Sequence, residues 1–265
     1  MSFFRTIITK RYLILRYLNR RLARRYRGSI LGVFASLVSP LAMLSVYIFV
    51  FGFIFKSRFN ISQKETPADF GLALFCGLNL FNLCSEVISR SPNLVLDHPN
   101  LVKKIVFPLE TLPVVAVLDS LLHCVIAFVP LFVAFILFRG EIPWSFIFLP
   151  LFLVPVTLFA VGFSLGLSAL GVFIRDIEAL MQPLLTILVF GSAVFYPIGA
   201  IPEPSRGVVQ LNPLALVIEN ARQSMIFGTF PDLRLLLTLT LVALIFVIVA
   251  SIFFEKSKPA FADVI

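Results

Sequence analysis

LLLTLTLVALIFVIVASIFF, Leu235 to Phe254, runs for twenty residues without a charge, a proline or a glycine. A helix needs about 20 apolar residues to cross a bilayer's hydrocarbon core, so this stretch reads as a transmembrane span. The same test, applied toward the N-terminus, finds five more runs, at about 29–55, 70–89, 111–138, 144–174 and 183–198. The first carries Pro40, whose missing backbone donor should kink it, and the third carries Pro130. The fourth is long enough to cross with tilt. The fifth is short, with prolines (Pro183 and Pro197) at both ends. The fold expected is an all-α integral membrane protein with six transmembrane helices.

Composition supports this. Of 265 residues, 59% are hydrophobic and 14% charged, with a mean hydropathy of +1.01, whereas soluble domains are about a quarter charged. A soluble enzyme, a secreted disulfide scaffold and a disordered tail are excluded, and no stretch is long enough for a separate water-soluble catalytic domain. Cys76, Cys84 and Cys124 lie inside apolar runs without metal-ligand spacing and read as small packing residues.

The net charge of +8 could attract nucleic acid, but in a membrane chain basic residues first report topology. With the N-terminus inside, cytoplasmic segments hold 15 of the 22 Lys and Arg. Both termini are therefore expected in the cytoplasm, with no nucleic-acid partner.

Residues 1–28 contain nine basic side chains and no acid, unlike a cleaved signal peptide. At 100° per residue Phe4, Ile7, Ile8, Ile14, Leu15, Leu18, Leu22 and Tyr26 share one face, opposite Arg5, Arg16, Arg20, Arg24 and Arg27. This predicts an amphipathic helix lying in the membrane interface, its cations among anionic headgroups. Two connections are too apolar for plain linkers. Residues 90–110 place Leu94, Leu96, Leu101, Val102, Ile105 and Val106 between prolines, and these side chains need something to bury against. Residues 199–232 include a short amphipathic helix after Asn212-Pro213, which could dip into the bilayer where protein shelters its backbone.

Catalytic signatures are missing. No GxxxxGK[ST] phosphate loop, HExxH, GxSxG or paired-carboxylate cluster occurs, so neither catalytic residues nor a metal site are expected. Two carboxylates lie inside spans. Glu86 stands four residues before Arg90, the favoured order for a helical ion pair. Asp119 has His123 one turn further on, and its burial in lipid calls for a partner. A structural pair is the simpler reading of each, so energy for any transport should come from another subunit. Aromatic residues (Tyr47, Phe49, Phe51, Phe53, Phe55; Phe195, Tyr196) crowd the outer ends of spans one and five, and a subset could line a channel.

Four stretches give these pieces a family. They are Arg25-Tyr26-Arg27-Gly28-Ser29-Ile30-Leu31-Gly32 with Ser39-Pro40; Asn100 to Glu110 (NLVKKIVFPLE); Phe173-Ile174-Arg175-Asp176; and Phe195-Tyr196-Pro197 with Ile201-Pro202 and Leu211-Asn212-Pro213-Leu214. In this order the chain resembles the membrane subunit of polysaccharide-exporting ABC transporters: the O-antigen, capsule and teichoic-acid permeases of type 2 exporter architecture. The resemblance implies a homodimer in the bacterial inner membrane, with two copies of a separate ATPase that binds ATP and Mg, and a channel at the dimer interface. It makes residues 90–110 the coupling loop, with Leu101, Lys103, Lys104, Ile105, Phe107 and Glu110 at the ATPase. It makes 199–232 the outer gate segment, with re-entrant helices between Glu203 and Phe227. Tyr47, Phe51, Phe195, Tyr196, Pro197, Asn212 and Pro213 become gate or channel residues. The implied substrate is a polysaccharide on undecaprenyl diphosphate, which Arg24, Arg25 and Arg27 could contact through charge-assisted hydrogen bonds. Lipid and drug exporters share the architecture but generally lack the Arg-rich first helix. A membrane enzyme acting on lipid-linked sugars and an ion-coupled transporter using Glu86 or Asp119 are the alternatives from other classes.

Overall fold

The structure, a computed structural model, describes residues 2–26, 32–55, 59, 66–103, 107–141 and 144–265. Among them the regular elements are all helical: α1 (Ser2–Thr9), α2 (Arg11–Tyr26), α3 (Gly32–Tyr47), α4 (Pro67–Arg90), α5 (Pro99–Lys103), α6 (Thr111–Arg139), α7 (Leu149–Phe173), α8 (Ile177–Gly191), α9 (Glu203–Gln210), α10 (Pro213–Met225), α11 (Leu233–Ser257) and α12 (Phe261–Val264), with short 3-10 turns and one π-helical segment between them.

Among the described residues, five segments are long and apolar enough to cross a membrane: Leu37–Ile54, Ala68–Asn93, Thr111–Arg139, Trp144–Phe173 and Leu233–Val264. The expected fifth span, about 183–198, has different bounds in the structure. It is a helix of 15 residues, Ile177–Gly191, about 22 Å long at 1.5 Å per residue and short of the hydrocarbon core. Pro183 lies inside this helix instead of at its start. The chain leaves helical conformation at Ser192, well before Ile198.

α4 forms the axis of the bundle. Most of its length (78%) is buried, against 17–39% for the other candidate spans, and α3, α6, α7, α8 and α10 all pack on it. Two close approaches depend on glycine. A Cβ on Gly71 would come within 2.7 Å of the Ile48 Cα, where α3 continues as the π-helical segment Ile48–Ile54. A Cβ on Gly171 would meet the Pro92 carbonyl oxygen at 2.2 Å. That second contact seats the 3-10 turn Ser91–Asn93 on α7, where Ser91 Oγ also donates to Ser164 Oγ at 3.0 Å. α11 lies along α7, with Phe246 over Gly162.

The N-terminal segment is two helices instead of one, divided at Lys10. Its buried face carries Phe3, Ile14 and Leu18, while Phe4, Ile8 and Leu15 are exposed. The buried face joins a cluster with Val95, Leu112, Phe254 and Phe261, so α1, α2 and α12 gather at one end of the bundle. A larger cluster fills the rest of the bundle toward α10. Cys76, Cys84 and Cys124 are buried free thiols within it.

Candidate functional site

The main hollow is a groove of about 890 Å³ between α3, α4, α6 and α8. α4 gives it a polar wall inside an otherwise apolar span. Asn79, Asn82, Glu86 and Ser89 recur at helical spacing along that wall, with Ser120 and His123 from α6 and Gln182 from α8 facing them. The spacing of three, four and three residues keeps these side chains on one stripe. Polar groups in membrane spans face protein or water-filled space, which is where these lie. The Asn79 amide donates to the Ala127 carbonyl at 3.2 Å, and Gln182 to Ser89 Oγ at 3.4 Å. The period-three polar residues of α4 were visible in its sequence but were not recognised there as a wall.

An ionic strip closes the groove toward the termini. Arg90 meets Glu86 at 2.7 Å, the expected i,i+4 pair, and Asp119 at 3.4 Å. Asp119 is 1% exposed, and Arg21 of α2 reaches it at 3.0 Å. Its main partners thus come from two other helices, and His123 lies 3.9 Å from Glu86. The strip ties α2 to α4 and α6 and borders the groove through Glu86, Arg90 and His123.

The expected coupling residues are divided. Leu101 and Phe107 are partly buried against the chain's own cluster at the termini end, and Phe107 lies 5.9 Å from the Tyr17 ring of α2. The apolar residues of this connection therefore find part of their burial on the N-terminal helices. Lys103 is exposed. Glu110 is 4% exposed and turned inward, accepting from Lys258 Nζ at 2.7 Å. Lys104, Ile105 and Arg27 lie outside the described residues. Arg24 and Arg25 sit in the last turn of α2, and their side chains are outside the described set.

Of the expected gate aromatics, only Tyr47 lines the groove. Phe51 stacks into a row with Tyr47, Phe55 and Phe70 at 5.6–6.4 Å. Phe195 packs on Phe190 at 5.3 Å, and the Tyr196 hydroxyl donates to the Phe190 carbonyl. Asn212 caps α10, its Oδ1 accepting from Leu214 N at 3.0 Å, and its amide donates to the Gly191 carbonyl at 3.0 Å. Pro213 occupies the first helical position of α10, where its missing N–H removes no helical bond. The segment 199–232 thus holds two helices, α9 and α10, of which the amphipathic pattern had implied the second.

Two arginines went unrecognised in the sequence. Arg139 makes two contacts with Asp69, at 2.8 and 2.9 Å, and donates to the Ile226 carbonyl at 2.7 Å. Arg222 is fully buried beside Glu219, at 2.8 Å. Among the described residues no three His, Cys, Asp or Glu side chains gather where a metal ion could sit.

Comparison with known proteins adds the relationship. The family model described as ABC-2 type transporter matches residues 12–226. The chain is 25% identical over 262 residues to the O-antigen export system permease protein RfbA of Myxococcus xanthus, covering 98% of this chain and 97% of that one. It is 25% identical to an O-antigen export system permease protein RfbA of Klebsiella pneumoniae, covering 93% and 92%. The polysialic acid transport protein KpsM of Escherichia coli is 26% identical over 231 residues, covering 85% and 86%.

Proposed function

The chain belongs to the ABC-2 type transporter family, and we propose that it is the membrane permease subunit of an ATP-driven exporter that carries a lipid-linked polysaccharide across the bacterial inner membrane. The observation that carries this reading is the groove: a hydrophilic wall of amides, hydroxyls and a carboxylate, built into the most buried span. Such a wall suits a hydroxyl-rich cargo, which hydrogen-bonds readily and has little affinity for lipid. Relatives matched over 85–98% of this chain and named for O-antigen export and polysialic acid transport support the same cargo class.

In this reading two copies form the channel, and two copies of a separate ATPase, which bind ATP and Mg, dock below them. Six crossings place both termini in the cytoplasm. The gathering of α1, α2 and α12 in one cluster supports an even number of crossings; α8 with the turn after it serves as the short one. Residues 90–110 and α2 form the surface toward the ATPase, and the strip Arg21–Asp119–Arg90–Glu86 connects that surface to the groove. α9 and α10 form the outer gate. Arg24, Arg25 and Arg27 contact the diphosphate of an undecaprenyl-linked substrate.

Gene deletion tests the reading. The deletion strain is expected to lose its surface polysaccharide and to accumulate the lipid-linked polymer inside, with both effects reversed by a plasmid copy. A lipid or drug exporter of the same architecture would leave the surface polymer intact, and that result would overturn the proposal.

A further inference from the structure

Arg222 is the largest fully enclosed side chain among the described residues. A buried guanidinium persists only where acceptors satisfy it, and here they are three backbone carbonyls and the Glu219 carboxylate. Nη2 donates to the carbonyls of Ala193 at 2.8 Å and Val194 at 2.9 Å, and Nη1 to that of Tyr196 at 3.4 Å. Glu219, one turn earlier on α10, supplies the counter-charge, and the guanidinium carbon lies 4.3 Å from the centre of the Phe59 ring. Three carbonyls within one four-residue turn therefore converge on a single cation.

The turn needs this help. It leaves α8 at Ser192, and its carbonyls 193, 194 and 196 turn to Arg222. Ala193 has φ +51°, the only positive φ at a non-glycine residue among the described residues; such a conformation lasts only where the surroundings over-determine it. At its other end α10 grips the same segment, since Asn212 donates to Gly191 O and to Ser192 Oγ at 2.9 Å. A role in packing alone would not select arginine, because an apolar side chain of similar volume usually serves a core as well as a buried ion pair.

We propose that Arg222 is the positioning residue of the outer gate: it locks the turn 193–196 to α10, so that Phe195, Tyr196 and α10 move as one body. This rests on the exporter reading, in which that turn belongs to the gate. The body bears on α4 at Gly77, where a Cβ would lie 3.3 Å from Arg222 Nη2 and 3.0 Å from Ile218 Cγ2.

The test uses the permease–ATPase complex in proteoliposomes, reading ion leak without nucleotide alongside the melting temperature. Arg222→Lys keeps the charge but lacks the fork that reaches several carbonyls; its leak should rise about tenfold, the effect of losing a charge-assisted hydrogen bond, with a fall in melting temperature too small to account for it. Gly77→Ala keeps every donor and crowds the guanidinium; its leak should rise about threefold, as for mild overpacking. Glu219→Gln leaves the carbonyl contacts but removes the counter-charge of a buried guanidinium, so it should lower the melting temperature while its leak stays below that of Arg222→Lys. If Arg222→Lys is not recovered folded, Gly77→Ala decides. Vesicles as tight as wild type with both variants, or leak that only follows a falling melting temperature, would overturn the proposal. Failure of the wild-type complex to export polysaccharide would instead sink the exporter reading, since the leak comparison needs no cargo.

Discussion

At the end of the bundle that carries α9 and α10, buried cations hold backbone carbonyls as well as a carboxylate; at the end that carries α1, α2 and α12, Arg21 and Arg90 hold carboxylates alone. Arg222 and Arg139 donate to carbonyls 193, 194, 196 and 226, groups that cannot rotate away or be exchanged. Arg90, in contrast, is shared between Glu86 and Asp119, while Arg21 reaches Asp119 from another helix. These two arginines are 28–39% exposed, so water can cover a bond lost during a shift. The first arrangement fixes a conformation. The second allows helices to slide while keeping some pairing, as the proposed ATPase-facing surface would require.

The sharpest way to break this comparison is at Asp69. Its 1% exposed carboxylate receives Arg139 twice and also accepts from Thr66 N at 2.7 Å. Asp69→Asn should cost about 3–4 kcal/mol, as for a buried pair broken on one side, read as a lowered melting temperature of the detergent-solubilised protein. Asp119→Asn should cost less, about 2 kcal/mol, because Arg90 falls back on Glu86 and Arg21 on water. Equal losses at the two sites would erase the distinction between the ends. Phe107→Ala should cost about 1–2 kcal/mol, a partly buried ring lost from its packing on Tyr17, and should lower the ATPase stimulation measured with the partner. Lys258→Met should cost about 1 kcal/mol, since water reaches the ammonium at its 36% exposed site but the Glu110 carboxylate it leaves is buried; a loss as large as that at Asp69 would put the termini end in the same rigid class as the other.

The same contrast explains what could be read in advance. Uninterrupted apolar runs show wherever lipid or core dictates composition, so Leu235–Phe254 and the runs leading to α4, α6 and α7 were legible. Glu86 and Arg90 were legible as well, because a pair four residues apart is a local geometric fact. The end of α8 was not. Its carbonyls at 191 and 193 turn to Asn212 and Arg222, 21 and 29 residues away, and no periodicity records such a capture. Pro183 suggested a helix start, yet it sits within α8, which begins at Ile177. The N-terminal face was only partly legible: Ile14 and Leu18 are buried as its period implied, but Phe3 is buried where Phe4 was expected. Arg222 drew no reading from the sequence, because the carbonyls that claim it lie 26 to 29 residues away.

The central claim is that this chain forms the path and a separate ATPase supplies the energy. It is tested most directly by reconstituting purified permease, with and without that ATPase, in vesicles loaded with the lipid-linked polymer on the nucleotide side. The account predicts ATP-dependent appearance of polymer on the opposite side only when both proteins are present, and no ATP hydrolysis by the permease alone. Export by the permease without the ATPase, or hydrolysis of ATP by the isolated chain, would contradict it.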